Sequence, residues 1–165
     1  MPDYKTNPVN SLTQDNNKAL ISWTNSLAIG IELIDDQHKH LVELTNELFK
    51  ACRLGGDALD AAFKKAMSST VDYVRFHFTI EQQMLERIKY PAYVQHKKEH
   101  DDFIKNILDA TKDYADKSKR FVPNNFVRFL KDWIVGHIGH SDKVYAAYIA
   151  DQIKKGFLDA NKIFI

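Results

Sequence analysis

The chain has 165 residues, of which 44% are hydrophobic and 27% charged, a composition typical of one globular domain. Its net charge of +1 gives no indication of binding to nucleic acid or to an acidic membrane surface. No apolar run approaches the roughly 18 residues of a membrane-spanning helix, and the polar N-terminus lacks the apolar core of a secretory signal. A single cysteine excludes an internal disulfide, so we expect a cytoplasmic protein that binds neither nucleic acid nor membrane.

Residues 1–20 are rich in Asn, Thr and Asp and are expected to form a flexible arm, followed by one domain over residues 21–165. Residues Trp23 to Leu33 include apolar side chains without a helical period, and they predict an ordered segment lying along this domain. The first long helix is predicted to begin at Asp35 or Asp36, whose side chains can cap it, and to end at Gly55.

The remaining helices follow in chain order. Residues 57–89 predict the second helix, Pro91 opens the third and Pro123 the fourth, because proline is favoured in a first helical turn. A short C-terminal helix is predicted over residues 144–153, and the apolar end of the chain is expected to pack back on its own domain. Four amphipathic helices with short connections predict an all-α fold, an antiparallel up-down-up-down four-helix bundle.

Seven potential metal ligands lie on the apolar faces of these helices, where a carboxylate is costly to bury unless it is paired or metal-bound. They are His38, His77, Glu81, His96, His100, His137 and Asp142. Two pairs are four residues apart, which places both side chains on one helix face. Any single histidine could be an ordinary hydrogen-bonded core residue, but seven donors are too many for one metal and predict a dinuclear centre.

The five-residue step from His137 to Asp142 does not fit a regular helix. It turns the chain by roughly 500° and leaves the two side chains about 140° apart. Both can reach one site if the helix widens in a π-bulge, which Gly136 and Gly139 make easier. Otherwise Asp142 would be a surface residue or the cap of the final helix.

Two further histidines are not included in the set. His40 shares its helix face with Glu43 and Glu47, and His140 is the one competitor for a ligand role; we expect both at the surface.

Without a cysteine ligand, zinc–thiolate sites and iron–sulfur clusters are excluded. Imidazole with carboxylate suits iron, zinc, copper or manganese, and bridging carboxylates favour a pair of irons.

The chain resembles the hemerythrins, most closely the bacterial single-domain proteins, in four segments between residues 23 and 148. These segments are WTNSLAIGIELIDDQHKHL, YVRFHFTIEQQML, YPAYVQHKKEHDDF and WIVGHIGHSD. The resemblance implies one iron bound by three histidines and a second bound by two, with both carboxylates bridging the pair beside an oxo or hydroxo group. The three are His96, His100 and His137, the two are His38 and His77, and the bridging residues are Glu81 and Asp142.

Two octahedral irons with these ligands leave one position open, on the iron of His38 and His77, where O₂ or an anion such as azide could bind. Because most of the protein ligands are neutral, the centre is expected to bind O₂ reversibly and not to cleave it. Gln82 departs from the family, where glutamate is frequent, and isoleucine replaces a common leucine at position 134. The resemblance surrounds the open position with apolar residues that exclude water, namely Leu41, Phe78, Trp133 and Ile134.

The function that follows is reversible O₂ binding for storage, delivery or sensing, without catalysis. Three alternatives stay open: an enzyme of the peroxidase or nitric oxide reductase type, a signalling module that responds to redox state or oxygen, and a structural metal site without an open position. Turnover of peroxide or nitric oxide with a reductant would distinguish the enzyme from the carrier.

Overall fold

The computed structural model describes residues 19–116 and 121–163. The predicted arm lies outside these residues except for positions 19 and 20. Within the described ranges the secondary structure is helical, without a β-strand, as expected for an all-α protein. None of the helices described is long and apolar enough to cross a membrane.

The bundle has four helices, two of which are interrupted by π-helical turns. The first is α1 (Glu32–Leu54) and the third is α4 (Tyr93–Ala115). The second bundle helix consists of α2 (Gly56–Tyr73), π1 (Val74–Phe78) and α3 (Thr79–Arg87). The fourth consists of α5 (Pro123–Trp133), π2 (Ile134–Asp142) and α6 (Lys143–Lys154).

The start of α1 differs from the prediction. The helix begins at Glu32, so Asp35 lies in its first turn and does not cap it. The Asp35 carboxylate instead accepts hydrogen bonds from the backbone N–H groups of Ile29, at 2.8 Å, and Gly30, at 3.0 Å. This ties the preceding segment to the helix. At the other end Gly55 has φ 69°, a conformation that favours glycine, and α1 ends there as predicted.

The later boundaries are partly as predicted. The fourth helix begins at Pro123, as expected, whereas the third begins two residues after Pro91, at Tyr93. The short C-terminal helix predicted over residues 144–153 is confirmed as α6, which continues directly from π2. The backbone at their junction keeps helical dihedral angles, so the π turn widens the helix without ending it.

Both ends of the described chain are tied to the bundle. The Asn46 side chain accepts a hydrogen bond from the backbone N–H of Ile21 at 3.0 Å and donates one to its carbonyl oxygen at 2.8 Å. This confirms an ordered segment ahead of α1. Near the C-terminus Ile163 is buried, and Arg87 donates a hydrogen bond to its carbonyl oxygen at 3.3 Å. Within the described residues, the apolar end therefore packs on its own domain through Ile163, as expected, whereas Phe157 is exposed.

Candidate metal centre

The seven predicted ligands lie together in the interior of the bundle. None of them is more than 3% exposed. The ligand atoms of six of them form two groups that share one carboxylate, and within each group these atoms lie within 4.8 Å of one another. One group is Glu81, His96, His100 and His137, and the other is His38, His77 and Glu81.

Asp142 faces both groups with different oxygen atoms. Its Oδ2 lies 3.2 Å from His38 Nε2, whereas Oδ1 lies 3.1 Å from His137 Nε2 and 3.6 Å from His96 Nε2. His137 and Asp142 are five residues apart in the sequence, a step that would separate them on a regular helix. The wider helix π2 (Ile134–Asp142) brings the two side chains together. The predicted π-bulge is thereby confirmed.

Glu81 points one oxygen at three histidines and the other at a tyrosine. Its Oε2 lies 3.0 Å from His100 Nε2, 3.1 Å from His96 Nε2 and 3.8 Å from His77 Nε2. Its Oε1 accepts a hydrogen bond from the buried Tyr145 hydroxyl. The sequence analysis missed Tyr145, although it follows Asp142 by three residues and so lies near the same helix face.

The second π segment was also missed. π1 (Val74–Phe78) includes His77 and lies just before Glu81. The apolar residues of the second helix keep a spacing that is compatible with a regular helix, so the sequence pattern did not predict the wider turn. Only the packed structure reveals it.

Polar groups on neighbouring helices orient the imidazole rings. His77 Nδ1 lies 2.7 Å from Gln37 Oε1, and His137 Nδ1 lies 2.7 Å from Glu99 Oε2. These oxygens can only accept, so each Nδ1 donates and each Nε2 faces the centre, the arrangement usual for metal-binding histidines. Gln37 and Glu99 were missed too, although each directly precedes a predicted ligand in the sequence.

The donor set fits a cation. Within the described part of the chain, His38 Nε2, His77 Nε2 and both oxygens of Asp142 are buried, and their short contacts with neighbouring side chains lack the geometry of a hydrogen bond. Buried polar atoms are costly when unsatisfied, and a metal ion bound between them would satisfy all four. Imidazole and carboxylate together suit iron, among other transition metals.

The charges of the cluster are strongly coupled. Burial alone would raise the pKa of Glu81, but His77 and His100 outweigh burial and hold it well below its usual range. Burial lowers the pKa of His77 to about 3. Burial also acts to lower the pKa of His137, but Asp142 and Glu99 raise it to about 10. In the absence of metal the site therefore holds ionised carboxylates beside a protonated His137 and a neutral His77.

The four residues predicted around the open position are all buried in the core. They are Leu41, Phe78, Trp133 and Ile134. The Phe78 ring stacks on His100, with centroids 3.7 Å apart, and the Trp133 ring stacks on His137, with centroids 4.4 Å apart. His40 and His140 are exposed, as expected for residues outside the centre.

A helical bundle that buries histidines and carboxylates from all four helices defines a class of metal-binding bundle proteins. The model of the hemerythrin HHE cation binding domain matches residues 29–149. The chain is 32% identical over 142 residues to the bacteriohemerythrin of Stenotrophomonas maltophilia, covering 82% of this chain and 83% of that protein. It is 30% identical over 128 residues to the bacteriohemerythrin of Methylococcus capsulatus, covering 77% of this chain and 95% of that protein.

The fold is similar to that of a solved protein described as wild-type hemerythrin. The two share a TM-score of 0.69 and 30% sequence identity, with 78% of this chain and 97% of that chain covered. With the family model matched over most of its length, the chain belongs to the hemerythrin family. Membership implies binding of non-haem iron, for which the buried cluster offers ligands.

Proposed function

We propose that the protein binds O₂ reversibly at a pair of irons held by the seven buried ligands. In this proposal both carboxylates bridge the irons, and the remaining open position belongs to the iron of His38 and His77. An iron held by these two histidines would offer that position to O₂ or to a small anion such as azide. The other iron is held by His96, His100 and His137.

One observation carries the proposal, namely the orientation of Asp142. Its two oxygens lie at nearly equal distances from histidines of different groups, 3.2 Å from His38 and 3.1 Å from His137. A single metal would need only one of these contacts. A carboxylate placed between two sets of imidazoles is the arrangement that a bridged pair of metals requires.

The two irons, when bound, supply an open coordination position and the electrons that O₂ accepts on binding. The protein supplies the environment. Five neutral imidazoles against two carboxylates keep the ligand charge low, which supports binding over cleavage of O₂. Phe78 and Trp133 cover the ligand histidines with apolar rings and so exclude the water that would otherwise compete for the site.

Metal analysis and optical spectroscopy test the proposal. Protein loaded with iron under reducing conditions should contain two irons per chain, and its visible spectrum should appear on exposure to O₂ and disappear on its removal. Zinc as the main metal, or one iron per chain, would contradict the proposed centre. The control is Asp151→Ala, which removes an exposed carboxylate on the ligand-bearing fourth helix and should leave the iron content unchanged.

A second measurement separates binding from catalysis. The reduced, iron-loaded protein is mixed with O₂ and an excess of reductant, and the consumption of both is followed. A carrier or sensor consumes O₂ only in proportion to its sites. Continued consumption of O₂ and reductant over many turnovers would defeat the binding proposal in favour of an oxidase.

A further inference from the structure

Among the polar groups that lack a hydrogen-bond partner within the described residues, three belong to buried core residues that are not proposed ligands. They are the hydroxyls of Thr70 and Tyr73 and the indole N–H of Trp133. All three residues are buried in the core of the bundle. Proteins rarely leave such groups unsatisfied, and those that lack a protein partner usually bind water or a ligand. The pocket beside the centre is therefore less apolar than its lining suggests.

Tyr73 is buried on the inner side of the second helix, next to the ligand histidine of that helix. Its ring stacks on His77, with centroids 4.7 Å apart and planes inclined by 19°. Two stacked rings on one helix project in a similar direction, and the phenol is the longer side chain. A phenol hydroxyl keeps its proton at neutral pH and is available as a donor.

Tyr73 also lies on the side of the centre where the open position is proposed. Leu41 follows His38 by three residues on the first helix, whereas Tyr73 and Trp133 each precede a ligand histidine by four residues. Because the first helix runs antiparallel to the second and fourth, these offsets lead to the same end of the centre. The Phe78 ring lies near both aromatic rings, its centroid 6.1 Å from that of Tyr73 and 5.8 Å from that of Trp133.

We propose that the Tyr73 hydroxyl donates a hydrogen bond to the small ligand, O₂ or an anion such as azide, that occupies the open position. The inference rests on the proposed function and deepens it, since it assigns a polar contact within a pocket otherwise lined by apolar side chains. A donor beside the ligand stabilises negative charge on it, so Tyr73 should favour azide and should hold bound O₂ more firmly.

The test compares Tyr73→Phe with wild type and with two matched variants. Tyr114→Phe removes a phenol hydroxyl that donates to Asp60, away from the centre. Thr70→Val removes the other unpartnered hydroxyl with little change of shape. Each protein is loaded with iron, its iron content is measured, and the oxidised form is titrated with azide. The thermal unfolding of each metal-free protein is measured in parallel.

Tyr73→Phe should keep the wild-type iron content and bind azide about tenfold more weakly, the loss expected for one hydrogen bond to a charged group. Both control variants should bind azide within twofold of wild type. Metal-free Tyr73→Phe should unfold at or above the wild-type temperature, because its hydroxyl has no protein partner to lose.

Three results would overturn the inference. Azide binding by Tyr73→Phe at wild-type affinity would show that the hydroxyl does not contact the ligand. An equal loss in Thr70→Val would indicate a bound water as the donor, and a lower unfolding temperature in metal-free Tyr73→Phe would reveal a partner within the protein. If the iron-loaded wild type binds no azide, the open position does not exist, and the result contradicts the proposed function as well.

Discussion

The four bundle helices differ in regularity, and the difference follows the ligands that they carry. Helices α1 and α4 are regular, and they contribute histidines alone to the cluster. The second and fourth bundle helices contain π1 and π2, and each contributes one histidine and one carboxylate. The irregular helices are thus the ones that bring negative charge into the centre.

Helix geometry explains the division. On the regular helix α4, His96 and His100 are one turn apart and converge on the same Glu81 oxygen, at 3.1 and 3.0 Å. Asp142 has to lie between two groups of histidines, and its spacing from His137 reaches that position only on a widened helix. π-Helical turns give up regular hydrogen bonds and occur mostly at functional sites. The placement of Asp142 explains π2, whereas the four-residue step from His77 to Glu81 fits a regular helix and does not require π1.

The regular helices in turn support the irregular ones. Gln37 on α1 accepts from His77 on π1, and Glu99 on α4 accepts from His137 on π2. The histidines of the widened turns are therefore oriented by side chains on rigid neighbours. This arrangement compensates for the looser backbone of a π turn at the positions where ring orientation matters most.

The largest effect is expected from removing the carboxylate of π2. Asp142→Ala should reduce the iron content below one per chain, because both groups of histidines lose a ligand. His38→Ala, on a regular helix, affects one group and should retain about one iron. Iron analysis of the two loaded variants tests the difference between the helix types. Equal losses in the two variants would break it.

Without metal, the free energy of unfolding should depend on pH, because the buried histidines have shifted pKa values. In metal-free protein the pKa of His137 is raised from 6.5 to about 10, so its contribution to stability is complete below pH 6.5 and lost as pH rises towards 10. The pKa of His77 is lowered to about 3, so stability falls as pH decreases below 6.5. The metal-free protein should therefore be most stable near pH 6.5.

Denaturant unfolding across this pH range measures the effect, which we expect to be on the order of a few kcal/mol between pH 6.5 and 10. The control is His137→Gln, in which the decline on the alkaline side should largely disappear. A decline of wild-type size in that variant would assign it to another group. At every pH in the range the iron-loaded protein should be more stable than the metal-free protein.

A smaller effect is expected from the supporting residues of the regular helices. Glu99→Ala removes the acceptor of His137 Nδ1 without removing a proposed ligand. We expect iron affinity to fall about 10- to 100-fold, the range typical of such outer contacts. Competition with a chelator measures the affinity. Asp101→Ala, which removes an exposed partner of Lys97 on the same helix, should match wild type.

The smallest effect is expected from the two exposed histidines. His40→Ala and His140→Ala should leave the iron content and the visible spectrum unchanged, since both side chains lie outside the cluster. The test is most informative for His140, because this residue lies within π2 between the proposed ligands His137 and Asp142. Loss of one iron in His140→Ala would show that the widened helix presents a different histidine to the metal.

The sequence by itself determined the bundle, the seven side chains that meet in its interior and the wide turn between His137 and Asp142. These features follow from the fixed rotation of a helix, which translates spacing along the chain into a shared face. The tertiary structure alone decided the turn π1, the acceptors Gln37 and Glu99, and the hydroxyls of Tyr73 and Tyr145 beside the ligands. Their roles depend on which helices are neighbours and on how deeply each side chain is buried. The spacing of residues within one helix does not indicate either property.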